Sequence, residues 1–128
     1  MLSIAAQSRP SKGKHMSRDT LFLIAPGFSD PKHPGQTFVC PHCNAIEGLL
    51  SSFPELAARI EVRRVPFPRP RTQVIEAVGE ENQSLPVLVL ASNPPPDAAD
   101  WKGKRFVSKT SRILELLAER HGFPRLHD

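Results

Sequence analysis

The stretch TFVCPHCNAIEGLL, residues 37–50, holds both cysteines of the chain, two residues apart, where a loop turns into a helix. From Cys43 the pattern is helical: Ile46, Leu49, Leu50 and Phe53 recur at i, i+3, i+4 and i+7. With Cys40 at or just before the first turn, Pro41 takes the first helical position, where a missing N–H costs nothing. Cys40 Sγ then lies near unpaired backbone N–H groups and the positive end of the helix dipole. Both favour the thiolate, the form that attacks disulfides. Cys43, one turn down the same face, is within reach of a mixed disulfide on Cys40. The spacing therefore assigns Cys40 the attack and Cys43 the resolution. His42, between them, can donate a hydrogen bond or lend positive charge to the Cys40 thiolate.

Two other readings of the pair stand beside this one. A zinc site needs four ligands, usually as two pairs. The chain has no second CxxC and no HxxxH, so His33 or His42 would have to complete it. Alternatively, the cysteines are inert core residues, although Pro41, His42 and a helix start are poor company for that.

Outward from the pair, the chain alternates short elements. TLFLIA (20–25), closed by Pro26 and Gly27, reads as a buried strand. A breaker-rich loop (26–36) leads to the cysteines. After the first helix, Pro54 stops or kinks the chain and ELAARI adds a turn. IEVRRVPF (60–67) is a strand whose far end, with Pro66 and Pro68, belongs at a sheet edge. RTQVIEAV (71–78) is a short helix ended by Gly79. SLPVLVLA (84–91) has four apolar residues behind a proline and fits a strand buried on both faces. SNPPPDAADWKGK (92–104) reads as a surface loop and RFV (105–107) as a short closing strand. KTSRILELLAERHG (109–122) is the clearest helix, capped by Thr110 or Ser111 and ended by Gly122. The order is strand, helix, strand, helix, strand, strand, helix.

The 128 residues suit one domain, and 39% hydrophobic residues with seven Phe and one Trp are enough for a core. The net charge of +4 is misleading, because Arg9, Lys12, Lys14 and Arg18 lie in an acid-free opening segment. The remainder holds 13 basic and 13 acidic residues. Such a balance gives no footprint for nucleic acid; RRVPFPRPR (63–71) is the one basic cluster and reads as a solvated edge. Residues 1–18 read as a disordered tail, with Met16 as an alternative start. Their composition also permits an organelle transit peptide. No stretch approaches a membrane span, so a cytoplasmic protein without membrane partners is expected. In that compartment a structural disulfide is unexpected, and a CxxC points to catalysis, redox sensing or metal.

The first strand, CPHC at a helix start and the downstream SLPVLVL together resemble the thioredoxin-like superfamily, in which CPHC is the active-site tetrapeptide of periplasmic disulfide oxidases. The C-terminal half is more similar to glutaredoxins and to the N-terminal domain of glutathione transferases. As a whole, residues 19–128 resemble a small bacterial thioredoxin-like family of unestablished function. The resemblance implies an α/β fold: a central mixed four-stranded sheet flanked by helices. It implies that Cys40 and Cys43 are the redox pair and that Pro86 is a cis-proline facing them. The Leu85 backbone would then be free to pair with a substrate like an added strand. Thr110 and Ser111 would occupy the place where relatives hold the γ-glutamyl carboxylate of glutathione, although Lys109 replaces the acid or Gln usual there. Pro41, Leu85, Pro86, Thr110 and Ser111 thus make up the substrate-contacting set. The long loop before Phe38, with Phe28 and His33, reads as a lid, a substrate-contact surface or filler. The expected activity is thiol–disulfide exchange on protein or small-molecule disulfides, with no cofactor required and glutathione a possible co-substrate. The alternative is a non-catalytic module whose CxxC binds metal, senses redox state or sits beside a glutathione site.

Overall fold

The computed structural model describes residues 18–127. The tail expected over residues 1–18 lies outside them, Arg18 excepted. Five strands form one sheet: β1 (Thr20–Ile24), β2 (Glu61–Val65), β3 (Val87–Leu90), β4 (Ala99–Trp101) and β5 (Lys104–Val107). The helices are α1 (Pro41–Ser52), α2 (Pro54–Ala57), α3 (Thr72–Val78) and α4 (Thr110–His121). The order across the sheet is β2-β1-β3-β5-β4. β1 and β2 are parallel, joined by the α1–α2 crossover, and every other neighbour is antiparallel. β2 lies at an edge, as its prolines predict.

The apolar runs bury both faces of the sheet. Leu21, Leu23, Leu88 and Leu90 pack with Ile46 and Leu50 of α1 and Ile113, Leu116 and Leu117 of α4. Phe22, Val87, Val89 and Phe106 face the other way, onto Val74 and Val78 of α3. Side chains alternate along each strand, so two helical layers are served by one continuous apolar stretch.

The fifth strand corrects the expected four. Ala99–Trp101 falls inside the stretch read as loop, and it pairs with β5 through a two-residue turn. Lys102 and Gly103 both have positive φ, 52° and 85°, the requirement of a type I′ hairpin turn. The Gly103 N–H donates to Asp100 Oδ1 across 3.2 Å, and Trp101 packs over Gly79. The start of α4 is a second correction. Its N-cap is Lys109 and no side chain caps it, so neither Thr110 nor Ser111 has that role. Thr110 is already inside the first turn.

The end of the sheet away from the cysteines is held by a charge cluster. Asp19 is buried and accepts from Arg120 Nε and Nη2 at 2.8 and 3.0 Å and from the Ala91 N–H at 2.9 Å. His121 Nε2 lies 2.7 Å from Asp19 Oδ2. Burial alone would raise the Asp19 pKa, but these partners together outweigh it and hold the carboxyl below its usual value. Among the described residues, no helix is long and apolar enough to cross a membrane.

Candidate active site

Cys40 is the N-cap residue of α1, with extended backbone, and Pro41 begins the helix. Cys40 Sγ accepts the Cys43 N–H across 3.2 Å, the role an Asp or Ser oxygen usually fills at a helix start. Both cysteines are thiols and both are buried. Cys43 is the deeper, at 2% exposure against 8%. Its sulfur accepts the Ile24 N–H from the end of β1 across 3.4 Å. Burial first, then the bond and negative charge of Cys40 and the charge of Glu47, push the Cys43 thiol up to about 12. The pair is therefore asymmetric: an outer sulfur seated on backbone N–H, and an inner thiol that keeps its proton.

Pro41 and His42 are exposed. His42 makes no hydrogen bond or ion pair among the described residues, so the structure does not bring it onto Cys40. Leu85 is half-buried and Pro86 buried, and the peptide bond between them is cis. Leu85 packs on the same cluster as Cys40 and Cys43. Thr110 begins α4, and Ser111 lines a groove of about 380 Å³ with Asp97, Phe106, Lys109 and Arg112, and no cysteine lines it. No group of three His, Cys, Asp or Glu side chains able to hold a metal ion forms among the described residues. His33 instead lies edge-on to Phe38, ring centroids 5.7 Å apart.

The long loop closes on itself beside the cysteines. Phe28 and Phe38 exchange backbone hydrogen bonds at 3.0 and 2.8 Å, which pins the base of the loop just ahead of Cys40. Phe28 stacks on Phe67, rings nearly parallel at 4.3 Å, and both pack against the cysteine cluster. Residues 26–39 and the β2–α3 connection thus form one aromatic wall.

Two residues of that wall, Phe67 and Arg71, belong to the stretch 63–71 expected to be a solvated edge, and the structure corrects this at Arg71, which it buries. Arg71 is 7% exposed, its guanidinium 5.6 Å from the Phe67 ring centroid. It donates to the Phe67 carbonyl and to the Gln83 carbonyl, and its N–H donates to Gln83 Oε1 at 2.7 Å. Burial and then the like charge of Arg69 push it down from the usual arginine value, while Cys43 and Cys40 act the other way. The available signal was an arginine in a proline-rich connection with no acid three or four residues away.

The family model described as a protein of unknown function, DUF3088, matches residues 18–125. The chain belongs to the DUF3088 family. The match takes in every strand and helix above, with the cysteine pair, Leu85–Pro86 and Arg71 all inside it. No curated protein and no solved structure matches the chain.

Proposed function

We propose that this DUF3088 chain is a thiol–disulfide oxidoreductase of thioredoxin-like fold. The observation that carries the reading is the asymmetry of the pair: Cys40 Sγ caps α1 on the Cys43 N–H, and the Cys43 thiol lies buried one turn below. The fold assignment is supported by sheet order. Without the edge strand β4 the order is β2-β1-β3-β5, with the cysteines at the start of the helix that follows β1.

In the proposed reaction the Cys40 thiolate attacks one sulfur of a substrate disulfide. The substrate S–S bond breaks, and its electron pair leaves with the second sulfur, which takes a proton from water. A mixed disulfide on Cys40 carries no negative charge, so two of the influences that hold the proton on Cys43 disappear at that moment. Cys43 then gives up its proton and attacks Cys40 Sγ; the mixed S–S bond breaks, its electron pair leaves with the remaining substrate sulfur, and that sulfur takes up a proton and departs as a thiol. The protein ends as the Cys40–Cys43 disulfide, two electrons poorer, and the substrate as two thiols, two electrons richer. In this reading the Leu85 backbone presents the substrate. Glutathione is a candidate co-substrate, since the first N–H groups of α4 have no side-chain cap and Ser111 and Lys109 line the adjoining groove.

The test is a single turnover: reduced protein mixed with 2-hydroxyethyl disulfide, with thiol release followed in time. Wild type is expected to outpace free dithiothreitol, and Cys40→Ser to release none. Equal release by Cys40→Ser and wild type would refute the reading.

A further inference from the structure

Four arginines stand in residues 63–71, and the fold divides them. Arg63 pairs with Glu61 at 2.6 Å, and Arg64 holds both oxygens of Glu47 at 2.7 and 2.8 Å. Arg69 and Arg71 pair with no carboxylate among the described residues. Arg69 donates from Nη2 to Ser84 Oγ across 3.3 Å, and Arg71 donates from Nη1 to the Gln83 carbonyl across 2.8 Å. Both unpaired cations therefore lean on Gln83 and Ser84, the two residues immediately before Leu85–Pro86. The hydrogen bonds of the Arg71 side chain occupy three N–H groups of the five that a guanidinium carries. A cation buried without a counter-ion is costly, and backbone carbonyls offset only part of that. A second positive charge alongside adds to the cost.

An anion delivered to this place would be attracted by both charges at short range, in a setting that screens them less than open water. We propose that Arg69 and Arg71 form an anion-recognition site at the segment where substrate docks, selecting disulfides that carry carboxylates over neutral or cationic ones. This rests on the oxidoreductase reading and names its substrate class. Arg69, exposed, meets the carboxylate directly. Arg71 supplies the second charge from beneath and fixes Gln83 by its bonds. The exchange itself is the two-step transfer described above and needs no further reactant.

The experiment uses reduced protein in single turnovers with three disulfides of similar length: 3,3′-dithiodipropionate, 2-hydroxyethyl disulfide and cystamine. Each rate is divided by that of dithiothreitol, a neutral dithiol, so that differences in intrinsic reactivity cancel. The normalised rate is expected to fall in that order, with the dianion about 10-fold or more above the dication at low salt. The spread should shrink to about 3-fold or less in 0.5 M KCl, where the Debye length is only about 4 Å. Arg69→Gln, a change at an exposed side chain, should remove most of the preference for the dianion, whose normalised rate should fall several-fold more than that of the neutral disulfide. Arg69→Glu should reverse the order. Equal normalised rates in wild type, or a loss of the same factor for all three disulfides in Arg69→Gln, overturns this inference and leaves the oxidoreductase reading standing. No Cys40-dependent reaction with any of the three overturns both.

Discussion

The backbone N–H of Ile24 donates to Cys43 Sγ across 3.4 Å, so the inner sulfur of the pair is anchored to the end of the first strand. The depth of Cys43 is thus set by the sheet, and the position of Cys40 by the helix that caps on it. The two cysteines respond to different parts of the fold.

A protonated inner thiol gives a simple labelling pattern. With the Cys43 thiol pushed up to about 12, it stays neutral throughout the pH range in which iodoacetamide is used. Native protein at pH 8 should take up one carbamidomethyl group, on Cys40, and denatured protein two. Equal native labelling of both cysteines, read by peptide mass spectrometry, would show that Cys43 is not held in this way.

Removing the resolving sulfur should stop the reaction halfway. Cys43→Ser is expected to complete the first step with 2-hydroxyethyl disulfide and to accumulate protein heavier by one mercaptoethanol adduct. Intact mass measured over time checks this. A variant that turns over without an adduct would remove Cys43 from the proposed role.

The Asp19 cluster predicts how stability depends on acid. Its folded pKa lies below the usual value, despite burial, because Arg120, the Ala91 N–H and His121 favour the carboxylate. Between the folded value and the unfolded one of about 3.9, the unfolded chain binds the extra proton. The stabilisation is therefore present above about pH 4 and is lost as pH falls through the folded value. Asp19→Asn leaves Arg120 without its counter-ion and should cost about 3–5 kcal/mol at pH 7. It should also flatten the acid limb of a urea-midpoint profile against pH. An unchanged acid limb would sink the assignment.

At Gly79 the backbone has φ of 95°, and a Cβ there would stand 2.6 Å from Trp101 Nε1. Both strain and overlap oppose a side chain, so Gly79→Ala should cost about 1–3 kcal/mol. Trp101 is the single tryptophan, so its emission reports the displaced indole directly. A variant with wild-type emission and unfolding midpoint would show the contact to be loose.

How much of this was readable beforehand depends on how local the physics is. Cap chemistry is decided within four residues, so Cys40 before Pro41 announces the helix start and the places of the two sulfurs. The long apolar runs of β1 and β3 declare themselves by length alone. β4 does not, because three residues with two exposed carry no periodicity, and only the turn at Lys102–Gly103 and a partner strand make them a strand. Arg71 was illegible for a different reason. Its burial depends on Gln83, 12 positions away, and nothing near position 71 distinguishes it from the paired Arg63 and Arg64. The start of α4 differs from the expectation of Thr110 or Ser111 as its cap: Lys109 is the N-cap residue, which puts Thr110 inside the first turn.

The clamp between Asp19 and Arg120 joins residues 101 positions apart. The chain enters β1 there, and α4 finishes there. The cysteine pair stands at the opposite end of β1, about 16 Å away for five extended residues. Entry and exit therefore share one pole of the domain and the thiols occupy the other. A segment joined directly to Arg18 would leave the domain at the end of β1 opposite the reactive sulfurs. The same proximity makes the domain a natural subject for circular permutation: a short linker across the Asp19 pole, with new ends opened in an exposed loop, should leave the cysteine pair in place.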